Sequence, residues 1–294
     1  MYDIAIIGGG PAGLTAAIYA RRANKKCLIL EETACGGQVL ITDKITNYPA
    51  FASVTGAELA HDMEKQATEL GAKIEYDKVT AIKSVDGGFE INGEDENYAA
   101  KTVIIATGTT PRKLNLPDED KLIGRGISYC ATCDGAFYKD KVVAVNGGGY
   151  SAAHAALYLA SIASKVYLIH RRDEMRAAGE IVEKIKNNPN IEMKLGLTVV
   201  GLKNDGKLSG LRLSNGEEIA VDGLFVEIGR EPHCDFCPDL KLDDDGYVVA
   251  GEDCATNIPG IFVAGDIRTK NLRQIVTATA DGAAAAESAI QFLN

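Results

Sequence analysis

Tryptophan is missing from this 294-residue chain, and so are three features that would each assign a class. The lack of tryptophan decides nothing. No apolar run approaches the roughly 20 residues of a membrane-spanning helix, which argues against that architecture. No basic segment followed by an apolar core and a small-residue cleavage site opens the chain, so a cytoplasmic location is expected. Positive charge is the scarcer sign: 31 Lys and Arg stand against 41 Asp and Glu, a net charge of −10. A nucleic-acid partner wants a basic face, so none is expected. In a reducing cytoplasm seven cysteines are not a structural disulfide framework, and any disulfide they form is expected to be catalytic. The remaining composition, 46% hydrophobic and 24% charged, is that of an ordinary globular protein with room for two domains.

A short buried-strand run, Ile4 to Ile7, leads into Gly8-Gly9-Gly10-Pro11-Ala12-Gly13 and then an apolar helical segment, Leu14 to Ala20. Gly8, Gly10 and Gly13 match G-x-G-x-x-G. The first glycine allows the tight turn, the second lets a pyrophosphate approach the backbone, and the third lets helix and strand pack closely. The helix N-terminus then offers free N–H groups to the phosphates. The next strand, Lys26 to Leu30, ends at Glu31, where a carboxylate can bind a ribose diol. Cys27 inside that strand reads as an inert core thiol.

Thr33 to Gln38 is a glycine-containing polar loop, and Asn47-Tyr48-Pro49 follows it. Thr55-Gly56-Ala57-Glu58 is a capping box opening a helix whose Leu59, Met63, Ala67 and Leu70 share one face. A three-strand excursion near 73–76, 79–84 and 88–92 precedes a buried return strand from Lys101 to Gly108. This pattern predicts a doubly wound dinucleotide domain with a small β-meander inserted.

The chain then repeats itself. A strand from Val142 to Asn146 runs into Gly147-Gly148-Gly149-Tyr150-Ser151-Ala152, followed by a helix and a second strand ending at His170. By subtraction, Gly8 and Gly147, Gly13 and Ala152, and Glu31 and His170 are each 139 residues apart. Hairpin signals at Asp205-Gly206 and Asn215-Gly216 predict a second meander, and Leu224 to Gly229 a second return strand. Two copies imply two nucleotides. Where the first copy carries Glu31, the second carries His170-Arg171-Arg172 and then Arg176. Arginines there can clamp a 2′-phosphate, the group that separates NADP from NAD. A buried strand ending in Gly265-Asp266 puts a further carboxylate at a sheet edge. An Ala-rich helix from Arg273 then closes the chain.

Between the copies stands Cys130-Ala131-Thr132-Cys133-Asp134. Two cysteines so spaced close a disulfide or supply half a zinc site. An acid beside them and a phosphate-binding turn a dozen residues on favour redox chemistry between a nucleotide and a disulfide.

Taken with Gly36-Gly37-Gln38, Asn47-Tyr48-Pro49, Ala106-Thr107-Gly108, Ala264-Gly265-Asp266 and Arg273-Gln274, these motifs resemble the low-molecular-weight bacterial thioredoxin reductases over essentially the whole chain. The resemblance implies an α/β fold of two Rossmann-like dinucleotide-binding domains of three-layer ββα type. A discontinuous FAD domain would comprise residues 1–113 and 239–294, and an NADPH domain carrying the C-x-x-C would comprise 114–238. It implies FAD contacts from Gly8, Gly10, Pro11, Ala12, Gly13, Glu31, Gly37, Gln38, Asn47, Thr107, Gly108, Asp266, Arg273, Gln274 and Ile275. NADPH contacts would come from Gly147, Gly149, Ser151, Ala152, His170, Arg171, Arg172 and Arg176. Cys133 would lie against the flavin, Cys130 would attack the disulfide of thioredoxin, and Asp134 would handle the proton. A homodimer built on the FAD domains is expected, and Arg125, Phe137 and Tyr138 flank the motif where relatives dock thioredoxin.

The chain departs from the resemblance at Tyr150 and at His154-Ala155, where relatives carry polar or acidic residues. This leaves open a branch of the family that takes electrons from ferredoxin instead of NADPH. A flavin dithiol oxidase and a flavin-binding redox sensor are further alternatives. His154 reads as a helix-surface residue. Cys234-Asp235-Phe236-Cys237 is a second C-x-x-C at the expected domain junction. It lies too far along the chain from the first to suggest a four-cysteine metal site, and a secondary redox site is one reading of it. Cys35 and Cys254 read as packing residues.

Overall fold

A computed structural model describes residues 1–42, 44–177 and 179–294. The chain forms two compact units, Met1–Thr110 with Glu231–Asn294 and, between them, Pro111–Arg230.

In the first unit, parallel strands lie in the order Lys73–Tyr76, Cys27–Glu31, Tyr2–Ile7, Asn97–Ile105, Ile261–Val263. Period-two alternation assigns their side chains to two layers. Ile4, Ile6, Ile29 and Ile104 join a cluster with the helices Pro11–Arg22, Gly56–Glu69 and Ile275–Phe292. Ala5, Ile7, Leu28, Leu30, Val103 and Ile105 face the other way, onto Phe89, Ile91 and the segment around Cys234 to Leu240. Both faces are buried, which is why the strands read as unbroken apolar runs rather than alternating ones. Thr55 and Glu58 close the expected capping box.

The strand at 73–76 departs from expectation. It pairs in parallel with Cys27–Glu31 and is a member of the main sheet. The antiparallel meander consists of Val79–Val85, Gly88–Gly93 and the first half of Asn97–Ile105. A four-residue strand leaves no local mark of its partner.

The second unit repeats the design. Ile191–Leu195, Lys165–His170, Val142–Asn146, Gly223–Val226 and Ile127–Ser128 make a parallel sheet. Val143 and Val145 face the helices Tyr150–Ala160 and Gly179–Lys186, while Ala144 faces a three-stranded meander covering residues 199–220. The Arg112 N–H donates to Gly229 O at 3.0 Å, so the two ends of this unit lie side by side. The compact units divide at 110/111 and 230/231 rather than at 113/114 and 238/239. Cys234 and Cys237 are buried in the apolar layer of the first unit, which draws residues 231–238 into that unit. Among the described residues no helix is long and apolar enough to cross a membrane.

Candidate active site

Three constellations carry chemistry, one in the first unit and two in the second. In the first unit, Gly8 has φ +105, and a Cβ there would lie 2.5 Å from Ala106 O. At Gly13 a Cβ would lie 1.9 Å from Gly8 O. Only glycine lets the turn close onto the return strand and the helix onto the turn. Gly10, by contrast, has nothing within 4 Å of where a Cβ would sit, and Gly108 is equally open. Gly37 meets only Gly10 Cα, at 3.6 Å. These three bare backbone positions and the N-terminus of Pro11–Arg22 leave room for a pyrophosphate. Glu31 Oε2 accepts from Gly9 N–H at 2.7 Å, while Oε1 accepts from Thr33 N–H at 3.0 Å, so the second-strand acid braces the glycine turn.

Across the sheet edge, Asn47 Nδ2 donates to Gln274 Oε1 at 3.0 Å, and Gln274 caps the helix that begins at Ile275. Arg273 stacks on Tyr247 at 3.8 Å and donates to Asp266 O at 3.0 Å and Arg268 O at 3.1 Å. Its guanidinium thus shapes the loop carrying Asp266. Thr107 Oγ1 donates to His233 O at 2.6 Å. The loop rests on Asp281, a buried carboxylate that receives Gly265 N–H at 3.0 Å and the side chains of Arg268 and Lys270. Sequence reasoning passed over Asp281. Its one signal was an acid on the otherwise Ala- and Gly-rich face of the last helix.

In the second unit, Gly147 has φ +154, and a Cβ there would lie 2.2 Å from Glu227 O. His170 is 8% exposed, its ring packs against Gly148, and its Nε2 is buried without a hydrogen-bond partner among the described residues. Burial, then the charges of Arg172, Arg171 and Arg176, hold its pKa below the usual histidine value, so the ring is neutral at physiological pH. The three arginines are exposed, and none forms a salt bridge among the described residues. Arg176 N–H donates to Gly148 O at 2.7 Å, which fixes the cationic segment onto the glycine turn. A Cβ at Gly149 would meet only Arg176 Nη2, at 3.6 Å. Tyr150 is 58% exposed. Ser151 and His154 are exposed and Ala152 is buried.

Cys130 and Cys133 form a disulfide with Cα atoms 5.3 Å apart. Cys130 caps the one-turn helix Ala131–Asp134, its Sγ accepting from Cys133 N–H at 3.2 Å. Both cysteines are half-buried. Ser128, a residue that sequence reasoning missed, ties the element together. Its hydroxyl donates to Asp134 Oδ2 at 2.6 Å and accepts from Cys130 N–H at 3.0 Å. Half-buried Glu227 follows the strand Gly223–Val226. Burial pushes its carboxyl up to about 7, with the Ala131 N–H and Arg230 pulling the other way. Phe137 is 43% exposed, whereas Tyr138 packs edge-on to Phe225 at 5.2 Å. Of the two flanking aromatics Phe137 is exposed and Tyr138 half-buried.

Residues 2–282 match the pyridine nucleotide-disulphide oxidoreductase family. The chain is 43% identical to the thioredoxin reductase of Treponema pallidum, with 100% of this chain and 97% of the relative covered. It is 44% identical to that of Peptoclostridium acidaminophilum, with the same coverages. The crystal structure of thioredoxin reductase from Streptococcus pyogenes is similar with a TM-score of 0.93 at 39% identity, covering 100% of this chain and 98% of the other.

Proposed function

Since the chain belongs to the pyridine nucleotide-disulphide oxidoreductases, and among them to the low-molecular-weight thioredoxin reductases, we propose that its thioredoxin reduction is driven by NADPH and relayed by FAD. One observation carries the reading. The unit that holds the Cys130–Cys133 disulfide also holds a glycine turn with three arginines, none in a salt bridge among the described residues, gathered around an uncharged His170.

The first unit fits FAD: Gly10, Gly37 and Gly108 leave backbone bare beside a helix N-terminus, and Glu31 ends the second strand. The second fits NADPH: Gly147, Gly149, Ser151 and Ala152 line the turn. Arg171, Arg172 and Arg176 supply the fork-shaped donors that suit a 2′-phosphate. His170 Nε2 supplies a desolvated polar atom in need of a partner. Bound FAD supplies the electron pair that opens the disulfide.

The remaining steps belong to side chains. Cys130 as thiolate attacks one sulfur of the thioredoxin disulfide, forming a mixed disulfide and releasing one thioredoxin thiol. Cys133 then attacks Cys130 Sγ, restoring the Cys130–Cys133 bond and freeing the second thiol. The two thiols released each need a proton, and Asp134, aligned by Ser128, is placed to carry one between solvent and sulfur. We assign the enzyme to the cytoplasm as a homodimer; five free cysteines beside one disulfide support a reducing compartment.

The test is anaerobic titration of the purified protein with NADPH, following the flavin absorbance. Rapid bleaching by NADPH, with little response to NADH, is expected. Bleaching by dithionite or reduced ferredoxin alone would overturn the assignment of the donor.

A further inference from the structure

The second C-x-x-C has no part in the reaction above, yet it repeats the local geometry of the first. Cys237 N–H donates to Cys234 O at 2.9 Å; in the disulfide-bonded pair, Cys133 N–H donates to Cys130 O at 3.3 Å. A turn closed this way keeps its first and fourth Cα atoms within about 7 Å, and a disulfide requires roughly 4.4–6.8 Å. Both thiols are free and buried, at 5% and 4% exposure. Phe236 O accepts from Ile82 N–H at 2.9 Å, so the turn is anchored on the neighbouring strand. Among the described residues no group of three or more His, Cys, Asp or Glu could hold a metal ion with this pair.

Cys237 also borders a cleft of about 410 Å³ lined by Ile82, Lys83, Ser84, Phe236 and Ile258, among others. That volume admits a small ligand. Cys234 does not line it. We propose that Cys234 and Cys237 are a second dithiol–disulfide couple, oxidised by a low-molecular-weight disulfide that enters this cleft.

The order of events follows from access. Cys237 as thiolate attacks one sulfur of the small disulfide R–S–S–R, whose S–S bond breaks and whose departing half takes up a proton as RSH. Cys234 then attacks the Cys237 sulfur of the mixed disulfide and expels the second RSH. Two protein thiols lose two electrons and two protons, and one small disulfide becomes two thiols. Burial, then Asp239 and Cys234, push the Cys237 thiol up to about 11; burial, then Asp235, push Cys234 up. Lys83 on the facing strand is the cation lining the cleft. With little thiolate at neutral pH the couple closes slowly. Among the described residues no buried cation stabilises its thiolates, so no described neighbour drives it open again. It therefore records oxidising conditions instead of turning over. Its turn begins one residue after His233, which accepts from Thr107 and contacts Thr110.

The test uses the full-length, flavin-loaded protein with Cys130 and Cys133 both replaced by Ser. It is incubated with oxidised glutathione, then acid-quenched, unfolded, alkylated and digested with trypsin. The peptide Glu231–Lys241 contains both cysteines and no others. It is expected to resist alkylation at both positions while Cys27, Cys35 and Cys254 are alkylated. The rate should rise about tenfold per pH unit, as the thiolate fraction of a group titrating near 11 does. In the same background Cys234→Ser should retain glutathione on Cys237, and Cys237→Ser should leave Cys234 unmodified. Full alkylation of the peptide, oxidation of all five cysteines together, or equal capture by the two single variants would each overturn the proposal.

Discussion

Arg268 and Asp281 meet as a bidentate pair, Nε to Oδ2 at 2.9 Å and Nη2 to Oδ1 at 2.7 Å, with both side chains less than a tenth exposed. Lys270 adds a third contact to Oδ2 at 2.6 Å. Removing one partner of such a group strands the others without a counter-charge. Asp281→Asn is expected to cost about 3–5 kcal/mol, measured as the loss in guanidinium unfolding free energy. Burial pushes the Asp281 carboxyl up, but Arg268 and Lys270 outweigh it and hold it below its ordinary value. A depressed acid stabilises the fold above its unfolded pKa, so the wild-type advantage should shrink as pH falls below about 4.

The roles proposed for the two cysteines of the first pair separate cleanly. Cys133→Ser should accumulate a stable mixed disulfide with thioredoxin through Cys130, visible on non-reducing gels. Cys130→Ser should not. Both should lose turnover by about three orders of magnitude or more, as removal of a nucleophile does. A trapped adduct on the Cys130→Ser variant would reverse the assignment.

The arginine cluster predicts a cofactor preference that can be inverted. A charge-assisted hydrogen bond contributes about 1.5–3 kcal/mol, so Arg171→Ala or Arg172→Ala should raise the KM for NADPH roughly tenfold to a hundredfold. KM for NADH and kcat with saturating NADPH should change little. A fall in kcat at unchanged KM would show that the arginines orient the reacting part of the nucleotide rather than bind its phosphate.

Glu227 supplies a pH-dependent prediction. Its carboxyl is pushed up to about 7 from an ordinary 4.5, so between those values the folded chain holds a proton that the unfolded chain has released. Stability from this residue is therefore present below about 4.5 and lost as pH rises through 7. Glu227→Gln should be near neutral at pH 4.5 and stabilising at pH 8, by on the order of 1–3 kcal/mol. Thermal melts of the two proteins across that range would measure it. A constant difference in Tm would rule the titration out.

The glycine turns, their flanking strands and the C-x-x-C could be read from sequence because each is dictated by neighbours within a few residues. Gly13 must be small to touch Gly8 O, and both lie in one hexapeptide. Partners chosen across long distances left no such mark. The pairing of Lys73–Tyr76 with Cys27–Glu31 depends on the tertiary layer, and so does the burial of Cys234 and Cys237 in the first unit. Asp281 and Ser128 matter through what they support. Nothing in an isolated helix or strand announces that a loop rests on one of its side chains. Arg273 carries both kinds of information: its type and position suggest a ligand contact, and its guanidinium also holds the backbone of Asp266 and Arg268, a role that only the folded loop displays.

The hydrogen bond from Arg112 to Gly229 O makes Pro111–Arg230 a cassette with both ends at one point. Replacing such an insertion with a short turn adds little loop-closure cost to its host. The host could then be built without its passenger, or rebuilt around another with a similar end-to-end spacing. The same architecture would let a gene gain or lose the whole unit Pro111–Arg230 in a single event, with the strand order of the first unit left as it was.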